Sequence, residues 1–311
     1  METNTVSETA EGLSLRQSRP RYGEKIIRSI LALAAFVSIF TTFGIVVSLL
    51  IPSIEFFLEV PITDFLFGTV WTPLFKNGEF GVIPLLSGTI VITLIAIAVA
   101  IPLGLGASIY LSEYASDRVR KVLKPTLEVL AGIPTVVFGF FALEFLTQAI
   151  LIKIFPEIEV FNALSAGLIM GVMIIPTIAS LSEDAMAAVP SGLRDGAYAL
   201  GSSKRQTAMK VVMPAALSGI VAAFVLGISR AIGETMIVTI AAGLQPQLSF
   251  NPLMGMQTMT SYIAAAGSGD LATGSIEYKS IFAVGMLLFL LTFIMNIFSI
   301  RLVRRFRQAY Q

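Results

Sequence analysis

The sequence has no cysteine and no histidine, and only 13% of its residues are charged. The two missing residue types exclude disulfides, thiol nucleophiles, histidine metal sites and catalytic triads that depend on histidine. Soluble domains carry about 25% charged residues. Because 55% of this chain is hydrophobic and its mean hydropathy is +0.84, we expect most of it to lie in a lipid bilayer.

Long hydrophobic runs predict an all-α polytopic membrane protein with six transmembrane helices. A helix needs about 20 apolar residues to cross the hydrocarbon core, and open sheets are excluded there because their edges stay unpaired. The runs that reach this length are 26–51, 82–111, 122–152, 162–182, 215–243 and 281–303. The first run is longer than the apolar part of a signal peptide, so we expect it to remain as a helix.

The Lys and Arg residues predict how these helices are oriented. Seventeen of the 21 lie in four segments between or beside the runs, 16–28, 118–124, 194–210 and 301–307. The intervening segments hold only Lys76, Lys153 and Lys279. Short cytoplasmic loops are enriched in Lys and Arg. Both termini are therefore predicted to be cytoplasmic.

This topology divides the chain into three predicted parts. They are a disordered cytoplasmic tail at 1–25, a first helix with an external segment at 26–81, and a core at 82–311. The external segments 52–81 and 244–280 are too long for plain turns. They suit either interfacial helices with aromatic belts or a platform for an external partner, and the sequence leaves both open.

Motifs of enzyme chemistry are missing from the sequence. It has no G-x-x-x-x-G-K-[ST] phosphate loop and no nucleophile–base set, so we expect neither ATP binding nor an active site in this chain. Glu183 and Asp184 form an adjacent acidic pair at the inner end of the fourth run. We interpret this pair as a solvated helix end, because ionised carboxylates are rarely buried.

The cytoplasmic segment 183–214 has short apolar faces on both sides of Gly201, separated by cations. This pattern predicts a helix–glycine–helix elbow. An elbow of this kind suits either docking into a groove of another protein or a simple connection between spans.

This elbow resembles the E-A-A loop of ABC-importer permeases, in which E-A-A is followed after three residues by glycine and later by a stretch ending in proline. Here the acid is Asp and the first alanine is Gly, and "VVMPAA" at 211–216 closes the pattern. The resemblance implies docking on a cytoplasmic ATPase, which would bind ATP and Mg²⁺ in place of any cofactor in this chain. The residues assigned to coupling are Arg194, Asp195, Gly196, Ala197, Gly201, Lys204 and Arg205.

Three further stretches are similar to the permeases of phosphate importers, in particular the PstC type. They are "IPLGLGASIYLSEYA" at 101–115, "LEVLAGIPTVVFGFFAL" at 127–143 and "SRAIGETMIVTIAAG" at 229–243. The resemblance implies a type I importer (MetI-like) bundle in the bacterial inner membrane. It also implies a heterodimer with a PstA-type permease, a dimer of PstB-type ATPases and a PstS-type protein that delivers phosphate, with no nucleic-acid partner.

Arg230 and Glu234 lie near the middle of the fifth run, where a charge costs about 2.5–3.5 kcal/mol on insertion scales. Their i, i+4 spacing predicts that they meet on one helix face. One interpretation is a buried structural ion pair. The other is a substrate path in which Arg230 binds phosphate oxygens and Glu234 holds the guanidinium. The resemblance links both positions to transport and favours the path.

Other functions remain open at this point. A proton-coupled secondary anion carrier would use Glu144 or Glu234 and would need no ATPase. The coupling-like elbow and the lack of a detectable inverted repeat argue against it. A PstA-type permease, or a permease for another oxyanion, is a nearer alternative.

Overall fold

A computed structural model of the protein describes residues 22–75 and 78–306. Nearly all of the predicted tail at 1–25 therefore lies outside the described residues, as does Lys76. The internal contacts of the chain divide it into two units, Met1–Ser48 and Leu49–Gln311. The described part of the first unit is helical, and the second unit holds the bundle that is the subject of the following paragraphs.

The described residues are mostly helical, and the two long connections are 68–82 and 243–258. In chain order the helices are α1 (Tyr22–Glu59), α2 (Ile62–Phe67), α3 (Ile83–Tyr114), α4 (Asp117–Ala131), α5 (Thr135–Ile154), α6 (Ala163–Ala187), α7 (Ser191–Ala199), α8 (Lys204–Ala215), α9 (Leu217–Ile232), α10 (Val238–Ala242), α11 (Met259–Gly267) and α12 (Ile276–Phe306). Within the described residues, five helices are long and apolar enough to cross a membrane, namely α1, α3, α5, α6 and α12. Counting the bent pair α8 and α9 as one span gives a sixth. The predicted all-α membrane fold is confirmed.

Two of the six predicted runs are broken in the structure. The run 122–152 starts inside α4, which is amphipathic, and the apolar span begins only at α5. Pro134 separates the two, because proline lacks the N–H that a continuing helix would need. The run 215–243 leaves the α-helical form at Ile232, and α10 follows Gly233 after a short break.

The centre of the bundle is the contact between α3 and α6, and it depends on small residues. A Cβ added at Gly171 would lie 2.8 Å from the carbonyl oxygen of Ala96, and one at Gly167 would lie 2.7 Å from the side chain of Ile95. These distances are too short for any larger residue. The glycine pair therefore lets the two backbones approach closely, as small-xxx-small motifs do in membranes.

An ion cluster joins α4 to the last turns of α6. Glu183 is fully buried, and its carboxylate accepts hydrogen bonds from Arg120 and from Lys124, whose Nζ lies 2.6 Å from Oε2. Asp184 is exposed and also pairs with Lys124. The interpretation of the acidic pair as a solvated helix end is therefore wrong for Glu183. Two cations from α4 compensate the buried charge, which the local sequence around Glu183 does not reveal.

The ion cluster raises the pKa of Lys124. Partial burial acts to lower the pKa of this lysine, but the hydrogen bonds that it donates to Asp184 and Glu183 raise the pKa above its ordinary value. Lys124 is therefore charged at neutral pH and can neutralise Glu183.

A cluster of aromatic rings orders the long segment that follows α1. Phe56, Phe65, Trp71 and Tyr262 are buried together, and the Trp71 and Tyr262 rings meet edge to face with centroids 4.8 Å apart. These contacts connect residues 56–71 with α11. The segment between α1 and α3 is therefore packed, with one short helix, α2, and is not an open loop.

Candidate substrate path and coupling elbow

Arg230 lies in the last turn of α9, about 20 Å along the axis from the first residue of the helix, Leu217. A cation is favourable there because the C-terminus of a helix carries partial negative charge. Its Nη1 donates to Thr177 Oγ1 of α6 at 3.0 Å. Among the residues that the structure describes, Arg230 makes no other side-chain hydrogen bond and no ion pair. Most of the five guanidinium N–H donors therefore stay available to a ligand.

Glu234 has a different environment, although it is only four residues away. Its side chain is buried, with the residue 8% exposed, and Oε1 accepts from the backbone N–H groups of Met236 and Ile237 at 3.0 and 3.2 Å. These N–H groups lead into α10, where a helix start has no internal acceptors. The carbonyl oxygen of Glu234 accepts from Thr260 at 2.6 Å. The carboxylate thus caps α10.

The contact between Arg230 and Glu234 that their spacing predicts is absent from the described ion pairs. The i, i+4 rule applies only within a continuous helix. Here α9 ends at Ile232, and Gly233 and Glu234 lie in the break before α10. The expectation that Glu234 holds the guanidinium is therefore wrong in this structure, and Thr177 makes that contact.

The elbow at 183–214 has the helix–glycine–helix form that the sequence predicts. Gly201, between α7 and α8, has φ of +81°, in the left-handed region that favours glycine. Ser203 caps α8, because its Oγ accepts from the N–H of Gln206 while the Gln206 side chain accepts from the N–H of Ser203. This reciprocal pair is a capping box and fixes where the second helix begins.

Most of the predicted coupling residues lie on the exposed side of the elbow. The exposed ones are Asp195, Gly196, Gly201, Lys204 and Arg205, whereas Ala197 is buried. Leu200 lies beside Gly201 and is 89% exposed. A large apolar side chain this exposed, at the turn between two helices, is available for contact with another protein.

Arg194 differs from the other predicted coupling residues because it points into the chain. Its guanidinium pairs with Glu113 of α3 at 2.9 Å and donates to the carbonyl oxygens of Met186 and Val189 at 2.8 and 2.7 Å. The two carbonyls belong to the end of α6 and the turn after it, where helix hydrogen bonds run out. Arg194 therefore fixes the elbow to α3 and α6.

The geometry can be compared with known proteins. The family profile described as "Binding-protein-dependent transport system inner membrane component" matches residues 100–308. The chain belongs to this permease family. It is therefore a multi-pass inner-membrane subunit of an ABC importer and not an enzyme.

Individual relatives extend the similarity of this permease beyond the profile. It is 34% identical over 296 residues to the probable ABC transporter permease protein YqgH of Bacillus subtilis, covering 94% of each chain. It is 32% identical over 249 residues to the phosphate transport system permease protein PstC of Mesorhizobium japonicum, covering 74% of this chain and 75% of that protein.

The fold of the permease also matches solved importers. The MetNI methionine ABC transporter in an inward-facing conformation superposes with a TM-score of 0.55 at 21% identity, covering 73% of this chain and 95% of that chain. The predicted MetI-like bundle is confirmed.

Sequence reasoning missed Thr177, Glu113 and Arg120 as partners of the charged residues, because each partner lies on a different helix from the residue it holds.

Proposed function

We propose that this permease is the PstC-type subunit of an ATP-driven phosphate importer and forms the translocation path with a second, PstA-type permease. The observation that carries the proposal is the similarity to PstC over about three quarters of both chains. A half-buried cation with free donors in an apolar span is consistent with an anionic substrate.

Arg230 is the residue that would meet phosphate. Its planar guanidinium presents paired N–H donors at the spacing of phosphate oxygens, and a charge-assisted hydrogen bond is stronger than a neutral one. Glu234 would act indirectly by holding the start of α10. The break between α9 and α10 would thereby stay beside the guanidinium.

The elbow would dock on a PstB-type ATPase, with Leu200 as its apolar anchor and Asp195 and Arg205 as flanking charges. Protein interfaces usually have an apolar core surrounded by a polar rim. Both termini would then be cytoplasmic, and a PstS-type protein would deliver phosphate on the opposite side.

The test is uptake by the reconstituted complex of both permeases and the ATPase in liposomes. We expect labelled phosphate to accumulate when ATP is present on the ATPase side and the binding protein on the other, with no inhibition by excess sulfate. Uptake driven by a proton gradient without ATP hydrolysis would show a secondary carrier. ATP-driven uptake of another oxyanion without phosphate uptake would show a different substrate.

A further inference from the structure

The span α5 carries an ionisable side chain at its midpoint. Glu144 is the tenth of the 20 residues of Thr135–Ile154 and so lies on the order of 15 Å from either end of the helix. The packed side of α5 bears Gly139, Ala142 and Thr147, which are buried. Glu144 is exposed, and its carboxylate makes no hydrogen bond or ion pair with any residue that the structure describes.

Lipid is an unsuitable neighbour for this position. Ionisable residues inside spans almost always face protein or a water-filled cavity, because hydrocarbon cannot solvate them. Gln148 lies about one turn further along α5 and is exposed as well. Glu144 and Gln148 are therefore two polar groups on the exposed side of one span. They indicate a neighbouring molecule, outside this chain, that offers polar groups or hydrogen-bond donors.

The side chains around Glu144 favour a protein neighbour over a water-filled path. Phe140, Phe141 and Phe145 are exposed next to Glu144, and the rings of Phe141 and Phe145 stack with centroids 4.8 Å apart. Three phenyl rings make a poor lining for an aqueous anion path. Aromatic surface around one or two polar groups is typical of the centre of a protein interface.

The charge of Glu144 also indicates that the neighbour is a different chain and not a second copy of this one. In a two-fold dimer the same surface meets itself, so the carboxylates of both copies would approach each other in a low-dielectric environment. No cation of α5 lies on this surface to separate them, since its described Lys153 is next to the helix end. The neighbour must therefore bring its own donor.

We propose that the α5 surface of Phe141, Glu144, Phe145 and Gln148 is covered by the second permease, which presents a cationic side chain or clustered hydrogen-bond donors to the Glu144 carboxylate. This inference rests on the proposed function, which supplies a non-identical permease partner. Glu144 would then be a pairing residue that selects that partner over a second copy of this chain.

The first experiment is photo-crosslinking in the co-expressed complex. A photoreactive amino acid replaces Phe145, which is 48% exposed, and a matched control replaces Phe293 of α12, which is 51% exposed. We expect light to join the second permease to position 145 and not to position 293. Crosslinks from position 145 only to lipid, or only to another copy of this chain, would overturn the inference.

The second experiment measures co-purification of the second permease with Glu144→Leu and Glu144→Gln. Removing one partner of a buried charge pair weakens association by about tenfold or more, so Glu144→Leu should lose the second permease to that extent. Glu144→Gln retains a hydrogen-bond acceptor and should lose less. If Glu144→Leu assembles as well as the unchanged chain, the carboxylate faces lipid or water and the inference is overturned.

Both readouts report subunit pairing and do not depend on the transported anion. If the crosslink forms but the unchanged complex takes up no phosphate, the proposed substrate is wrong and the interface stands. If the unchanged complex takes up phosphate but position 145 does not reach the second permease, the interface is wrong and the proposed function stands.

Discussion

Arg230 and Glu234 are close in sequence, but different elements hold them. The guanidinium is anchored by Thr177 of α6, and the carboxylate is bound by the backbone N–H groups that lead into α10. Since neither side chain holds the other, substitutions at the two positions should have separable effects. Loss of Arg230 should remove a charge from the proposed substrate path, whereas loss of Glu234 should loosen the start of α10.

A prediction at the residue scale concerns the cap on α10. Glu234→Ala removes the acceptor of two backbone N–H groups, one of them buried, and should lower the stability of the purified complex by about 1–2 kcal/mol. Glu234→Gln keeps a side-chain carbonyl oxygen and should lose less than half of that. Thermal unfolding in detergent measures both variants. Equal losses would show that the negative charge, and not the acceptor, stabilises this site.

The sequence could identify these two residues but not their partners. Charged residues stand out in an apolar run because they are costly there. Thr177 cannot be found this way, since threonine is common in spans and lies 53 positions from Arg230. The contact predicted for Glu234 failed because it assumed an unbroken helix. Gly233 gave no clear warning, as glycine is frequent within transmembrane helices.

At the scale of elements, the junction of α4 with α6 depends on a buried carboxylate. Glu183→Gln leaves Arg120 without its counter-charge and Lys124 with Asp184 alone, and it should destabilise the complex by about 1.5–3 kcal/mol, the range for hydrogen bonds to charged groups. Asp184→Asn is the matched control, because the exposed neighbour also pairs with Lys124 but should change stability by less than about 1 kcal/mol. Similar thermal unfolding of both variants would contradict this account.

The same junction has a defined pH dependence. The pKa of Lys124 is raised above its ordinary value of 10.5, so its contribution to stability is fully present below that pH. It is lost as the pH rises through the raised value. Between pH 6 and about 9, the stability of the junction should therefore show no dependence on this lysine.

The elbow provides a second prediction at the element scale. Leu200→Ser should weaken docking of the ATPase by about fivefold or more, because loss of an apolar anchor at an interface centre costs about 1 kcal/mol or more. Leu74→Ser is a suitable control, since Leu74 is 70% exposed in the segment after α1. Substrate-stimulated ATP hydrolysis by the reconstituted complex measures the effect. Normal stimulation with Leu200→Ser would argue against the elbow as the docking element.

Some element boundaries could be predicted from hydropathy and others could not. The spans α3, α6 and α12 begin and end close to the ends of the predicted apolar runs, whereas α1 continues beyond the predicted end at residue 51, through Pro52, to Glu59. Hydropathy alone joins part of the amphipathic α4 to α5 in the predicted run 122–152. The reason is that exposed apolar side chains on one face of α4 raise the average hydropathy there. A helical projection separates its charged face, with Lys121 and Lys124, from that apolar face.

At the scale of the whole molecule, α6 connects the elbow with Arg230. Its middle carries Thr177, which accepts from Arg230, and its end carries Met186, whose carbonyl accepts from Arg194. A single helix therefore contacts both the elbow and the guanidinium of Arg230. The family resemblance could predict that the two regions belong to one transporter. The connection through α6 needed the three-dimensional structure, because it joins residues from three helices.

Phosphate uptake by the Arg230→Gln complex tests the central claim most directly. Glutamine keeps hydrogen-bonding groups but removes the charge, so the account predicts at least about a tenfold loss of ATP-driven uptake. Co-purification of the second permease and the ATPase should be unchanged, which separates transport from assembly. Arg230→Lys, which retains a charge without the planar donors, should keep part of the activity. Uptake at the unchanged rate by a fully assembled Arg230→Gln complex would contradict the placement of Arg230 on the substrate path.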